Sequence, residues 1–143
     1  MVIVPSRDRV GSYADLKTRI DEEISAINGR YSTMDWTPVC YFYHGFSFEE
    51  LTAMYYVADV ALVTPLRDGM NLVAKEYIAV KDGNPGVLIL SEMAGASVEL
   101  VDAIRINPND TEQIASALAI ALEMPVREQL QRIRRMQTVI SEQ

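Results

Sequence analysis

Apolar residues recur along this chain with two periods. Runs of three to five at residues 2–4, 39–43, 60–63, 87–90 and 103–106 are rich in β-branched or aromatic residues. They are bounded by Pro, Gly, Asn or Asp and read as buried strands. Between them, apolar positions three and four apart predict helices. Leu16, Ile20, Ile24 and Ile27 give a helix over 13–28 one apolar face, with Asn28-Gly29 as its stop. Ser47 and Glu50 form a capping-box pattern before the stripe Phe48, Leu51, Tyr55 and Ala58. A third helix is predicted over 72–80, then a turn at Gly83-Asn84-Pro85-Gly86 and a short helical turn over 97–100. Asp110 and Gln113 cap a helix over 111–123, with Ile114, Leu118, Ala121 and Leu122 inward. Pro125 interrupts it and opens a last helix towards Ile140, with Val126, Leu130 and Ile133 inward.

Short apolar strands alternating with helices imply an α/β fold, a Rossmann-like parallel sheet with helices on both faces. Residues 1–143 read as one such domain, with no internal repeat and no flexible linker. Ligands of these sheets bind beyond the carboxyl ends of the strands. The neighbourhoods of Arg7, Phe46, Asp68 and Gly95 all fall there.

Composition narrows the function. Hydrophobic residues make up 49% and charged residues 23% of 143, which suits a globular protein with a sizeable core. A net charge of −7 and the lack of a basic stripe argue against nucleic-acid binding. No apolar run approaches the ~18 residues of a membrane span, and no signal peptide opens the chain. The lone Cys40 lies in an apolar run and reads as a buried thiol, and cytoplasmic is the expected compartment. Met1-Val2-Ile3-Val4-Pro5 begins inside an element, so the chain reads as a piece of a longer protein.

The segment with the most chemistry runs from Arg67 to Tyr77. It joins the predicted strand 60–63 to the predicted helix 72–80 through a turn holding Asp68 and Gly69. The first N–H groups of a helix lack intrahelical partners, and its dipole favours negative charge there. A phosphate or diphosphate fits such a turn, with Leu72 and Val73 offering backbone N–H groups and their side chains in the core. A capped helix without a ligand gives the same pattern. Asp68 either caps the helix or accepts hydroxyls. Gly69 serves close approach or a positive φ. Glu76, one turn past Leu72, suits either two ribose hydroxyls or a neighbouring cation. Lys75 reads as a solvated helix charge. Arg7, introduced by Pro5, suits bidentate phosphate recognition or an ordinary surface position. The single histidine, His44, reads as a polar loop residue. Phe46 is a candidate staple for the helix that follows.

The residues of this segment, Arg67-Asp68-Gly69-Met70-Asn71-Leu72-Val73-Ala74-Lys75-Glu76-Tyr77, closely resemble the donor loop of trehalose-phosphate synthases, retaining glycosyltransferases of the GT-B type. Four further segments resemble that family: Val4-Pro5-Ser6-Arg7, Ile27-Asn28-Gly29-Arg30-Tyr31, Ser91-Glu92-Met93-Ala94-Gly95-Ala96 and Ile106-Asn107-Pro108. Order and spacing agree over residues 2–125. The resemblance implies the C-terminal, nucleotide-sugar-binding half of a two-domain enzyme that transfers glucose from UDP-glucose to glucose 6-phosphate. It implies that Asp68, Gly69, Met70, Asn71, Leu72, Val73, Ala74, Lys75 and Glu76 line the donor site, with Asp68 facing the sugar as the catalytic residue. It also implies that Arg7 contacts the acceptor phosphate and that the Phe46 backbone contacts uracil.

The chain departs from the family pattern after Arg7, where Asp8-Arg9 stands in place of Gly-Asp. The family's basic pair for the diphosphate and its N-terminal domain would lie before Val2. No Asp-x-Asp occurs, and neither a metal nor a cofactor is expected. A related transferase with another acceptor such as glycerol phosphate, or a non-catalytic regulatory domain of the same fold, are the alternatives.

Overall fold

The computed structural model describes residues 11–142. The expected strand 2–4 and Arg7 lie outside the described residues. The chain divides into two compact units, one ending at Ser47 and the other starting at Phe48.

In the first unit, helix α1 (Gly11–Tyr31) continues through Asn28-Gly29, where a stop is expected. Asn28 is used differently. Its side-chain amide donates to Val39 O at 2.9 Å and accepts from Val39 N at 3.0 Å. One carboxamide thus takes the two backbone groups that a neighbouring strand would take. Of residues 39–43, where a strand is expected, Phe42 lies in a β-bridge and no continuous strand runs among the described residues. Cys40 is exposed rather than buried, while Val39 and Tyr41 on either side are half-buried. Successive side chains of the segment alternate between its covered and open sides.

The second unit holds a three-stranded parallel sheet in the order β1 (Val60–Val63), β2 (Val87–Ser91), β3 (Ile104–Ile106). Helix α2 (Phe48–Val57) precedes β1, and α3 (Leu72–Val80) connects β1 to β2. A 3₁₀ turn over Gly95–Val98 connects β2 to β3, and α4 (Thr111–Glu123) and α5 (Val126–Ser141) follow. All five residues of β2 are buried. Its pleat divides the core in two, as period-2 geometry requires. Leu88 and Leu90 pack with Ala74, Tyr77 and Ile78 of α3 and Ile133 and Met136 of α5. Val87 and Ile89 pack with Ile106 and with Ala117 and Ala121 of α4. Helices therefore cover both faces, as the alternation predicts.

Asp110 caps α4 by accepting from Gln113 N at 2.9 Å. The Gln113 side chain turns to Asn107 N at 2.6 Å rather than back to the cap. Five apolar positions expected on the covered faces of these helices, Leu16, Ile27, Phe48, Leu122 and Val126, are exposed. Phe48, Leu122 and Val126 each lie in a terminal turn of their helix.

A buried cation fixes α2 to α3. Lys81 at the end of α3 is 2% exposed, and its Nζ donates to Tyr56 O at 2.9 Å and to Ala58 O. Tyr77 Oη donates to Ala58 O and Asp59 O at 3.2 and 3.3 Å. Lysine near a helix C-terminus satisfies carbonyls that have no intrahelical donor. Burial pushes the Lys81 ammonium below its usual pKa and the Tyr77 phenol well above its own.

Candidate functional site

The chain leaves β1 at Val63 and β2 at Ser91, and the two exits run side by side. Ser91 Oγ, fully buried, donates to Pro65 O at 2.8 Å and accepts from Met93 N at 3.1 Å. Beyond it the loops join as a short parallel ladder through the bridge Asp68 to Ala94. Asp68 N donates to Met93 O at 3.3 Å, Gly95 N to Asp68 O at 3.0 Å, and Ala96 N to Met70 O at 2.8 Å. The approach is so close that a Cβ on Gly95 would stand 2.0 Å from Gly69 O. Gly95 is therefore required by packing.

Within the first loop, Asp68 and Asn71 form a closed unit. Asp68 Oδ1 accepts from Met70 N at 3.2 Å, and Oδ2 accepts from Asn71 Nδ2 at 2.9 Å. Asn71 Oδ1 accepts from Ala74 N at 2.9 Å and is the cap of α3. Asn71 does so from the left-handed region, at φ 70°, which asparagine tolerates better than most residues. The cap expected of Asp68 is thus supplied by Asn71, and Asp68 holds Asn71 in place. Each Asp68 oxygen keeps a second acceptor site.

Gly69 contrasts with Gly95. Its φ is not positive, and a Cβ there would meet nothing within 4 Å. No described atom demands glycine at this position. Met70, Leu72 and Val73 are exposed, which corrects the expectation that Leu72 and Val73 are core. Helical side chains lean towards the N-terminus, so those of the first turn point back past the helix start. The first core residue of α3 is Ala74, fully buried. The N–H groups of Leu72 and Val73 have no intrahelical acceptor and lie at the open end of the helix.

Further along α3, Lys75 is not solvated. Its Nζ lies 2.6 Å from Glu99 Oε2, with its side chain 17% exposed. Glu76 is exposed, and Tyr55 Oη of α2 donates to its Oε2 at 3.4 Å. Tyr55 reads from sequence only as a member of an apolar stripe. Burial and the Glu76 charge raise the Tyr55 phenol above its usual pKa.

Asp68 to Glu76 thus form one constellation at the carboxyl ends of the strands. Phe46 belongs to the first unit, where its half-buried ring packs on Phe42 and His44 at 5.5 and 4.4 Å between centroids. Among the described residues no three His, Cys, Asp or Glu side chains come together as metal ligands would. No described helix is long and apolar enough to cross a membrane.

Comparison with known proteins places this geometry in a lineage. The curated bifunctional trehalose-6-phosphate synthase/phosphatase of Thermoproteus tenax is 53% identical over 137 residues, 96% of this chain and 19% of that protein. A crystal structure of an α,α-trehalose-phosphate synthase (UDP-forming) from Burkholderia xenovorans, in complex with glucose-6-phosphate, superposes with a TM-score of 0.94 at 44% identity. It covers 99% of this chain and 31% of its own. The E. coli trehalose-6-phosphate protein bound with UDP-2-fluoro glucose gives a TM-score of 0.93 at 42% identity, over 99% of this chain and 32% of its own. This chain therefore spans between a fifth and a third of the length of these relatives. The profile of glycosyltransferase family 20 matches residues 1–143, and the chain belongs to that family.

Proposed function

We propose that this chain forms the donor side of a glycosyltransferase that moves glucose from UDP-glucose to glucose 6-phosphate, giving trehalose 6-phosphate. The observation that carries the reading is the open N-terminus of α3 between two carboxylates. The Leu72 and Val73 amides meet no acceptor among the described residues, Asp68 stands before them, and Glu76 stands one turn beyond.

A diphosphate at the helix start gains hydrogen bonds from those amides and the favourable end of the dipole. The same contacts stabilise it as a leaving group, so neither a metal nor a cofactor is required. Glu76 takes the ribose hydroxyls. Asp68 accepts hydroxyls of the transferred sugar with its remaining acceptor sites, and Gly69 lets that sugar approach the backbone. Met70, Asn71, Ala74 and Lys75 shape the loop and helix that present these groups. Arg7 holds the acceptor phosphate, and the backbone at Phe46 meets the uracil. The catalytic pocket is completed by a further domain of the same enzyme, and the expected compartment is the cytoplasm. The resemblance of the Asp68–Glu76 segment to the synthase donor loop, and the ligands named for the related structures, support these assignments.

Titration of the chain with UDP, followed by amide chemical shifts, tests the reading. The expected result is shifts confined to residues 68–76 and the Phe46 region. No response near Asp68 to Glu76 at millimolar UDP overturns it. Glu76→Ala is expected to weaken UDP binding by about 1–3 kcal/mol, the range for a lost hydrogen-bonded partner in such a site.

A further inference from the structure

We propose that Tyr55 is a positioning residue for Glu76, holding one carboxylate oxygen so that the other is presented to the ribose hydroxyls of a bound nucleotide. The inference rests on the reading of Glu76 as the ribose ligand.

Glu76 lies on an exposed stretch of α3, where a glutamate side chain samples many rotamers and loses that freedom on binding. Its one hydrogen-bond donor among the described residues is Tyr55 Oη, 3.4 Å from Oε2, and Oε1 has no protein partner among them. Hydrogen bonds at such sites are often long before the ligand arrives and tighten with it.

The phenol is well placed to orient another group because it is itself fixed. Its ring packs against the core cluster that contains Ala74, Tyr77 and Leu88. The carbonyls immediately after it, at Tyr56, Ala58 and Asp59, are held by Lys81 Nζ and Tyr77 Oη from α3. Gly86 leaves room for this clasp, since a Cβ there would stand 2.5 Å from Tyr77 Oη. Helix α3 thus grips the end of α2, and α2 reaches back to Glu76 one residue before Tyr77. A phenylalanine would fill the same apolar space, so packing alone gives no reason for the hydroxyl.

Binding of UDP and of 2′,3′-dideoxy-UDP to the full chain separates the possibilities. Wild type is expected to favour UDP by about tenfold, since ribose hydroxyls meet a charged acceptor. Tyr55→Phe is expected to reduce that preference about threefold and to leave dideoxy-UDP affinity and thermal stability unchanged. In a Glu76→Ala background the Tyr55→Phe change should have no further effect, because the two residues act through one contact. If wild type does not discriminate between the nucleotides, including by binding neither, the ribose reading of Glu76 falls and takes this inference with it. If wild type discriminates and Tyr55→Phe does so equally, the positioning role alone is overturned. A loss of both nucleotides in Tyr55→Phe would also overturn it, in favour of a general structural role.

Discussion

The exits from β1 and β2 are neighbours in the same sheet, and their backbones are bonded to each other, but they are finished differently. In residues 91–97, Glu92 and Met93 are exposed, but Ser91, Ala94, Ala96 and Ser97 are buried, and both serine hydroxyls donate to carbonyls. Residues 68–73 keep their backbone bonds on the side that faces this support and leave Gly69, Met70, Leu72 and Val73 open. The two glycines show the division most clearly. Gly95 is dictated by an atom of the protein, Gly69 O, whereas nothing described within 4 Å dictates Gly69. Under the proposed reading, Gly69 is the place where the bound sugar comes close to the backbone.

Substitutions at three positions break or sharpen that comparison. The largest effect is expected from Gly95→Ala, because the added carbon would overlap a backbone oxygen that cannot rotate away. A loss of about 2–4 kcal/mol in denaturant unfolding follows from forcing a packed contact apart. Stability equal to wild type would mean that the loops separate freely and that the support does not exist. Next comes Asn71→Ala, which loses the helix cap, about 1 kcal/mol, and strains a left-handed backbone by about 1 kcal/mol more. Asn71→Gly should recover the backbone share; equal losses in both variants would show that the cap alone matters. The smallest change in stability is expected from Gly69→Ala, within about 0.5 kcal/mol of wild type, as for an unconstrained surface position. Its UDP-glucose affinity should nevertheless fall about tenfold. Unchanged affinity there would remove the case for close approach at Gly69.

Sequence periodicity was sufficient where an element carries its own signals. Helices at Leu72–Val80 and Thr111–Glu123 have the bounds that the sequence predicts, the second with the cap predicted at Asp110. The strands at 60–63, 87–91 and 104–106 follow from apolar runs between turn residues. Spacing is silent on whether an apolar position has anything above it, which is why Leu72, Val73, Leu122 and Val126 were read as inward. It is also silent on partners distant in sequence. The Asn28 amide that takes both backbone groups of Val39 leaves no trace in a local pattern, nor does the Lys75 pair with Glu99. At the site, the residue types from Asp68 to Glu76 were legible. The division of labour between Asp68 and Asn71 was not, since either side chain can cap a helix. Tyr55 was hidden by its apolar ring, which satisfied the stripe and masked the hydroxyl.

The ladder between residues 68–70 and 93–96 has a thermodynamic consequence. Ordering an irregular segment costs about 1–2 kcal/mol per residue in backbone entropy. Here that cost is met when the sheet forms, because the turn is registered against its neighbour like one more rung. If the loop holds a nucleotide as proposed, its backbone is already ordered before the ligand arrives, so association draws little on chain ordering.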